Sequence, residues 1–596
     1  AEHGRVRQVT LQTGNRQFYR HWFSYLTLFI SVDLIIQLIW IPIFRLITTF
    51  ALQAGEIPFV SYQNVVTIVT HHPIVVLVLL AELVAILLVV YGQFAMILLG
   101  VKEIRTEQLG ARRLIKATLA RLKDLCMSSL LVLLGYFVLV VPFADLVFRT
   151  PLLAKVQIPQ FILDYLTRSA LLLTVLLAFY AVMIILGVRF LYALPLMVYR
   201  GQRPKAALRA SWRQTRRGKW WPAIARLIVV SLAGAIIAAI LYAATVGAQF
   251  AADHFLGKGA YYFGIFDMLV VQLGSELFAA WVGTVTINVV FKQFVGPASG
   301  DHFATSRGLK AVTVVAVGLL TFITVVGNAL YLSGSEDQRP VTVSHRGVAD
   351  ENGVQNTIPA MEKTHRLHPD YIEMDVHETK DHQFVVLHDE NLKELTGVNK
   401  TPHQLTLRQL TRLTARENGH QAKIASFDDY LKTADRLHQK LLVEVKTTPQ
   451  DSAGMLRRFV RQYGPTLVAH HDQLHSLDYS VVTGLKKYDP HLDVLYVQPY
   501  NFTYPNTVAN GYSMEYSTLT YDFITLAHLQ HKCVYAWTVN DDQVMKQMMY
   551  KNVDGIITDN LVELNQAIAS YEGHQSYAQR ILNYIMVVPT STEFAP

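Results

Sequence analysis

The chain has 596 residues, of which 52% are hydrophobic, and a formal net charge of +8. This length excludes a single domain, and the apolar residues are concentrated before residue 335, beyond which the chain is polar. The positive charge gives no reason to expect a nucleic-acid partner. Most of it lies in short loops between apolar runs, where it favours contact with anionic membrane lipids.

Seven apolar runs are long enough to cross a bilayer, which requires roughly 20 mostly apolar residues. They lie near residues 23–49, 74–99, 125–148, 169–198, 222–249, 265–291 and 309–333. We therefore predict an all-α polytopic membrane domain over residues 23–335. The polar segment 1–22 that precedes it has no short apolar core of the kind found in a cleavable signal peptide.

The orientation is predicted from Lys and Arg, which accumulate on the cytoplasmic side of a membrane. The N-terminal segment and the loops after the second and fourth spans are strongly basic, whereas the loops after the first, third and fifth are nearly free of basic residues. We therefore predict a multi-pass protein of the plasma membrane with a cytoplasmic N-terminus. The seventh span then ends outside, and the polar C-terminal part is extracellular.

Several ionisable residues lie in or near the predicted spans. They are Asp33, Glu82, Asp145, Arg189, Asp267 and Glu276. Such residues either pair between helices or face a functional polar cavity. Seven spans also exceed what an anchor requires, so recruitment of a lipid-linked substrate, or transport, is an alternative to plain interhelical pairing.

From residue 341 onward, short β-rich runs alternate with helical stretches. The predicted strands are 341–345, 371–376, 384–388, 441–446, 474–477, 493–498, 512–516, 534–539 and 554–559. Repeated strand–helix units indicate a parallel sheet covered by helices, and about eight units indicate a (β/α)8 TIM barrel. We predict this barrel over residues 336–570 and a C-terminal tail over residues 571–596.

Three carboxylates lie towards the ends of predicted strands, where the catalytic residues of such barrels are found. Glu373 and Asp375 are two residues apart, so they point to the same side of one strand, and Glu444 lies in a later strand. Buried carboxylates this close repel one another unless a cation lies between them. Oxygen ligands suit Ca²⁺ or Mg²⁺ better than zinc. The sequence predicts a divalent metal, with Ca²⁺ favoured over Mg²⁺.

Cations and imidazoles accompany these carboxylates. Arg346 and Lys446 carry positive charge that can bind a phosphate group, and His345 and His388 can transfer protons near neutral pH. A buried ion pair would account for any one of these residues. Their convergence on several strand ends indicates a site for phosphodiester hydrolysis.

Seven segments of the predicted barrel resemble the glycerophosphodiester phosphodiesterase family. In chain order they are SHRG, QNTIPA, IEMDVHETKD, VVLHDENL, LVEVKT, AWTVN and VDGIITDN. The resemblance covers residues 341–565, and the spans resemble the membrane region of a subgroup from Gram-positive bacteria. It implies hydrolysis of glycerophosphodiesters to glycerol 3-phosphate and an alcohol. The roles it implies are acid–base catalysis for His345 and His388, metal binding for Glu373, Asp375 and Glu444, and phosphate binding for Arg346 and Lys446.

Some positions near this site have less specific interpretations. Gln355 stands where the family usually has a glutamate, so it keeps hydrogen-bonding capacity but lacks the charge. Trp537 ends a predicted strand and either packs on a glycerol moiety or belongs to the core. His377 shares a strand face with Asp375 and could approach the metal. The histidines expected on helices and loops are His365, His368, His403, His470, His471 and His475.

The implied substrates are deacylated phospholipid headgroups or the polyglycerol-phosphate chains of lipoteichoic acid. Two other classes remain as alternatives: a lipid or glycerophosphodiester transporter or flippase whose barrel only binds, and an interaction protein with an inactive barrel. No feature of the sequence predicts an oligomeric state. The apolar tail either docks a tilted barrel against the spans or packs on the barrel itself. Its apolar residues are Ile581, Leu582, Tyr584, Ile585 and Val588.

Overall fold

The computed structural model describes most of the chain. The residues outside its described part are 1–10, 56, 58–64, 107–108, 126, 145–149, 151, 153–157, 297–306, 335–337, 501–503, 505, 573–574 and 588–596. Asp145 and Val588, both singled out from the sequence, are among these residues.

The N-terminal region is helical. Its described helices are α1 (Leu11–Ile35), α2 (Ile41–Ala54), α3 (Val65–His71), α4 (Pro73–Thr106), α5 (Ala111–Lys123), α6 (Met127–Ala144), α7 (Gln160–Thr167), α8 (Ala170–Arg189), α9 (Ala193–Arg200), α10 (Pro204–Gln214), α11 (Trp221–Phe255), α12 (Gly259–Val290), α13 (Lys292–Val295) and α14 (Arg307–Ser333). A π-helical turn, Ile36–Trp40, joins α1 to α2.

Six helical stretches within the described residues are long and apolar enough to cross a membrane. They are Gly14–Ala54, Pro73–Thr106, Ala170–Arg200, Trp221–Phe255, Gly259–Val290 and Arg307–Ser333. Each overlaps one predicted span. The remaining predicted span, 125–148, coincides with the 18-residue helix α6 and extends into residues 145–149, outside the described part. A multi-helix membrane domain is therefore confirmed.

Three of the ionisable residues in this domain have polar partners. Asp33 accepts a hydrogen bond from Gln37 at 2.9 Å, and Glu82 accepts one from Thr48 at 2.6 Å. Arg189 donates to two backbone carbonyl groups. For these three residues, pairing within the helical bundle is a sufficient explanation, so they give no support to a transport pathway.

The C-terminal region contains the predicted barrel. Its strands are β1 (Val341–Ser344), β2 (Tyr371–Glu378), β3 (Phe384–Val386), β4 (Thr414–Glu417), β5 (His420–Lys423), β6 (Lys440–Val445), β7 (Gln473–Ser476), β8 (Asp493–Gln498), β9 (Gly511–Glu515), β10 (Cys533–Trp537) and β11 (Gly555–Thr558). Eight of them pair in parallel in the order β1-β2-β6-β7-β8-β9-β10-β11, and β11 pairs with β1 to close the barrel. The short strand β3 pairs with the end of β2 in antiparallel orientation, and β4 and β5 form a separate hairpin.

Helices connect these strands. They are α15 (Ile358–His365), α16 (Lys393–Thr396), α17 (Leu407–Leu410), α18 (Phe427–Leu437), α19 (Met455–Ala469), α20 (Tyr479–Tyr488), α21 (Tyr521–Leu529), α22 (Asp542–Tyr550), α23 (Leu561–Glu572) and α24 (Tyr577–Val587). The predicted (β/α)8 fold is confirmed.

Strand alternation explains why the site lies inside the barrel. In β2, Ile372, Met374 and Val376 point outwards into the core between strands and helices, so Glu373 and Asp375 point inwards, because side chains alternate along a strand. A second apolar cluster fills part of the barrel interior. Its buried members are Val343, Leu442, Leu495, Tyr535 and Ile557. The polar interior residues described below lie further towards the C-terminal strand ends.

The tail forms α24 and packs between the two domains. Ile581 and Tyr584 are buried in a cluster with Met268 of α12 and Leu332 of α14. The Tyr584 hydroxyl accepts a hydrogen bond from Gln272 at 2.8 Å, and α24 also contacts barrel helix α22. The apolar strip therefore contacts both the membrane domain and the barrel.

Candidate active site

Three neighbouring strands bring an acidic cluster together at the C-terminal end of the barrel. Asp375 of β2, Glu444 of β6 and His475 of β7 are register partners across these strands. Carboxylate oxygens of Glu373 and Glu444 and a ring nitrogen of His475 lie within 4.8 Å of one another. All four residues are buried. Two of the three predicted metal ligands, Glu373 and Glu444, thus share one cluster.

His475 was expected on a helix or loop, and this prediction was wrong. It lies in β7 with 3% of its surface exposed, and its Nε2 is 3.7 Å from Glu373 and 3.8 Å from Glu444. The segment LHSL is itself a predicted strand, so strand alternation was a signal that could have identified this residue. The abundance of histidines around it obscured that signal.

The cluster has properties expected of a metal site. His475 is buried, yet neither of its ring nitrogens has a hydrogen-bond partner within the described part of the chain, which is unusual for a buried polar group. Glu373 and Glu444 would hold a divalent cation together with His475. Because an imidazole also suits Mn²⁺ or Zn²⁺, the donor set fits a divalent ion, while the preference for Ca²⁺ over Mg²⁺ stays a prediction.

The third predicted ligand, Asp375, is held by other side chains. Its Oδ2 accepts a hydrogen bond from Asn356 at 2.8 Å, and its Oδ1 is 3.1 Å from Nζ of Lys446. Lys446 also lies 2.7 Å from Glu444. Burial alone would raise the pKa of Asp375. The nearby cations, of which Lys446 has the largest effect, outweigh burial, and the pKa of Asp375 lies well below its usual range. Asp375 and Lys446 therefore form a buried ion pair beside the cluster.

Each of the two predicted catalytic histidines has an aspartate partner that the sequence analysis did not single out. Nδ1 of His345 lies 2.8 Å from Asp559, and Nδ1 of His388 lies 2.7 Å from Asp389. A carboxylate only accepts hydrogen bonds, so each Nδ1 donates its proton, and proton exchange at either ring would take place at Nε2. The segments HDE and TDN, which follow strands, contain these aspartates.

Asp559 also changes the charge of the site. Burial lowers the pKa of His345, but the carboxylate of Asp559 outweighs burial, and the pKa is raised above its usual value. In turn, burial raises the pKa of Asp559, whereas His345 lowers it more strongly, to about 2. The buried His377 lies next to the second predicted catalytic histidine, His388. Nε2 of His377 is 3.0 Å from the backbone carbonyl oxygen of His388, and this contact helps to fix the backbone of His388.

Arg346 links the acidic cluster to a polar network. Its backbone N–H donates to Glu373 at 2.7 Å, and its guanidinium donates to Oε1 of Gln355 at 2.9 Å. The side-chain and backbone N–H groups of Gln355 both donate to Glu417, at 2.6 and 2.8 Å. Glu417 ends β4, in a hairpin that the sequence analysis did not predict. The charge that Gln355 lacks is thus present on Glu417.

Trp537 ends β10 and is half-buried. Its ring lies 5.9 Å from the ring of Phe161, centroid to centroid. Phe161 belongs to α7, between the predicted third and fourth spans. The contact brings a short helix of the membrane domain to the same end of the barrel as the acidic cluster.

A closed (β/α)8 barrel with aspartate-paired histidines, an acidic cluster that suits a divalent metal and two cations at one end is typical of an enzyme that hydrolyses phosphodiesters. Comparison with known families agrees. Residues 11–327 match the family described as the membrane domain of glycerophosphoryl diester phosphodiesterase, and residues 345–563 match the glycerophosphoryl diester phosphodiesterase family. The chain belongs to this family of membrane-bound glycerophosphodiester phosphodiesterases.

Individual relatives match part of the chain. A glycerophosphodiester phosphodiesterase from Caldanaerobacter subterraneus subsp. tengcongensis is 25% identical over 233 residues, which cover 37% of this chain and 95% of that protein. Human lysophospholipase D GDPD1 is 53% identical over 57 residues, covering 10% of this chain and 18% of that protein. A crystal structure of a glycerophosphodiester phosphodiesterase from Parabacteroides distasonis superposes with a TM-score of 0.35 at 23% identity, covering 39% of this chain and 98% of that one.

Proposed function

We propose that the protein hydrolyses glycerophosphodiesters to glycerol 3-phosphate and an alcohol at the outer surface of the cell, in a reaction that requires a divalent metal. The observation that carries this proposal is the convergence of Glu373, Glu444 and His475 beside two histidines that each have a carboxylate partner. Deacylated phospholipid headgroups and polyglycerol-phosphate chains both contain the required diester.

The residues divide the chemistry between them. A bound divalent ion would neutralise phosphate charge and make an oxygen ligand a better nucleophile. Arg346 and Lys446 supply further positive charge for the phosphate. His345, whose pKa is raised, gives a proton from Nε2 to the departing alcohol oxygen. His388 takes the proton of the attacking oxygen, which is the glycerol 2-hydroxyl or water.

Two features support an outer location. The strongly basic loops lie on one side of the predicted spans. Contacts with the barrel come from elements on the other side: Phe161 of α7, and the ends of α12 and α14 near Met268 and Leu332. An epitope inserted after Gly419, in the exposed β4–β5 turn, should bind antibody on intact cells. The same epitope after Gly218, in a basic loop, should bind only after permeabilisation. The reverse pattern would contradict the proposed orientation.

The activity can be tested with the purified full-length protein and glycerophosphocholine. We expect EDTA to abolish release of glycerol 3-phosphate and one of Ca²⁺, Mg²⁺, Mn²⁺ or Zn²⁺ to restore it. Glu373→Gln and Glu444→Gln should lose activity because they remove ligands, whereas the exposed Glu572→Gln should not. Hydrolysis that is insensitive to EDTA would overturn the metal dependence. Absence of hydrolysis under all conditions would overturn the substrate class.

A further inference from the structure

Helix α7 is joined to the rim of the barrel by two separate contacts. The backbone N–H of Gln160 donates to Oγ of Ser517 at 3.3 Å, and Ser517 in turn donates to Glu515 at 2.6 Å. One residue further on, Phe161 packs on Trp537. Ser517 and Trp537 follow or end strands β9 and β10 on the catalytic side. A membrane-domain helix therefore forms one edge of the entrance to the site.

The rim beside α7 contains buried polar atoms without partners. Glu515 is 1% exposed, and its Oε1 has no hydrogen-bond partner in the part of the chain that the structure describes. The same is true of Nε1 of Trp537. These two residues are register partners in β9 and β10, so their side chains point to the same side. Since buried polar groups rarely stay unpaired, an acceptor and a donor here indicate a polar ligand group.

The outer side of α7 is apolar and exposed. Phe161, Ile162 and Tyr165 are 38%, 37% and 63% exposed, and α7 contains no buried residue. Aromatic side chains such as Tyr165 are typical of the membrane interface. These side chains are therefore available to a ligand that approaches along the membrane surface.

The apolar surface of α7 continues into a membrane span. Helix α8 begins at Ala170, and its residues Leu171 and Val175 are 73% and 59% exposed, as expected for side chains that face lipid. Nine residues separate Phe161 from Ala170, a length of about 14 Å at helical rise. Phe161, Ile162, Tyr165 and Leu166 lie on one face of α7 at helical spacing, whereas the exposed Asp164 and Thr167 lie on the other face. An apolar chain leaving the barrel entrance can thus lie along the apolar face of α7 towards α8.

We propose that α7 is part of the substrate-binding site and selects glycerophosphodiesters that carry an apolar chain held in the membrane. This inference rests on the proposed function and adds the class of substrate. The unpaired atoms of Glu515 and Trp537 receive polar groups next to the phosphate. The apolar chain lies over Phe161 and Ile162 towards α8. The exposed apolar side chains of α7 run from the catalytic entrance towards the lipid-facing helix α8, and this position identifies the occupant as a membrane amphiphile.

The apolar chain of the substrate can be attached to either side of the phosphodiester, and two substrates distinguish these two positions. Lysophosphatidylcholine carries its acyl chain on the glycerol, whereas glycerophospho-N-palmitoylethanolamine carries it on the leaving alcohol. Glycerophosphocholine has no chain and is the reference. The full-length protein in lipid nanodiscs is assayed with all three, and the result is the ratio of kcat/KM for each chain-bearing substrate to that for glycerophosphocholine.

We expect this ratio to be well above one for at least one chain-bearing substrate. It should fall about tenfold in Phe161→Ser and Ile162→Ser, because burial of a large apolar side chain contributes about 1.5–3 kcal/mol, where 1.4 kcal/mol is tenfold. Phe161→Leu should largely restore the ratio. Leu529→Ser is the matched control, since Leu529 is 72% exposed on α21, away from the entrance, and its ratio should equal that of the wild type.

Several outcomes would overturn the inference. One is a wild-type ratio at or below one for both chain-bearing substrates while glycerophosphocholine is hydrolysed. Another is an unchanged ratio in Phe161→Ser and Ile162→Ser. If the serine variants lose all activity, Tyr165→Ser decides, and an unchanged ratio in this variant again rejects the role of α7. Failure of the wild type to hydrolyse glycerophosphocholine or either lipid would instead reject the proposed function.

Discussion

Replacement of Asp559 by asparagine is expected to lower the pKa of His345, so that a smaller fraction of this imidazole is protonated near neutral pH. The two side chains are 2.8 Å apart, and two unit charges about 4 Å apart interact by about 1 kcal/mol in water and about 4 kcal/mol at an effective dielectric constant of 20. The Asp559 side chain is 46% exposed, so the lower part of this range applies. A loss of about 1.4 kcal/mol corresponds to about one pKa unit. The pKa of His345 should therefore fall by about one unit.

The pH profile of kcat/KM shows this change. In the proposed mechanism His345 acts while protonated, so activity is expected below its raised pKa and should be lost as the pH rises through that value. In Asp559→Asn the basic limb should move about one unit lower, and the maximal rate should fall by roughly 10²–10⁴, the range for loss of acid–base catalysis. Asp435→Asn, which alters the exposed partner of His470, should leave the profile unchanged. A basic limb that stays in place in Asp559→Asn would refute this role for His345.

Three further changes test other contacts. Glu417→Gln should lower kcat/KM about tenfold because a hydrogen bond to a charged group contributes about 1.5–3 kcal/mol, and steady-state kinetics would show whether Arg346 depends on this network. His475→Ala should raise the metal concentration needed for half-maximal activity at least about tenfold, because loss of even an outer partner of a metal ligand typically costs about 10–100-fold in affinity. The half-buried His470, outside the cluster, is the control, and His470→Ala should not change this concentration. Ile581→Ala removes a fully buried side chain, at a typical cost of about 2–5 kcal/mol. It should lower the unfolding temperature, and Leu582→Ala, at a half-exposed neighbour, should lower it much less. Equal shifts in the two variants would contradict the packing of Ile581 between the two domains.

The sequence predicted the parts of the fold that have a clear hydrophobic pattern. Eight barrel strands were located within one or two residues because β-rich runs alternate with amphipathic helices. The β4–β5 hairpin was missed because most of its side chains are exposed and show no apolar alternation. Its Asn418–Gly419 turn, with φ values of 50° and 73°, is a typical hairpin signal that could have identified it.

Contacts between distant segments were harder to predict. The candidate residues Glu373 and Glu444 could be placed together because both lie near the ends of parallel strands. By contrast, Asp559 meets His345 only because β11 closes the barrel against β1, which no local pattern indicates. The approach of Phe161 to Trp537 depends on how the barrel rests on the spans, and that arrangement is set by tertiary packing.

The docking of α24 has a consequence for how the chain is assembled. Domains made first generally fold first during synthesis, so α12 and α14 are in place before residues 577–587 have been made. Until then, Met268 and Leu332 lie uncovered on the membrane domain, and α24 covers them only after the barrel between them has been completed. A barrel that fails to fold would leave this apolar surface exposed. Burial of Ile581 against Met268 and Leu332 thus distinguishes a completed molecule from one in which this apolar surface is still uncovered.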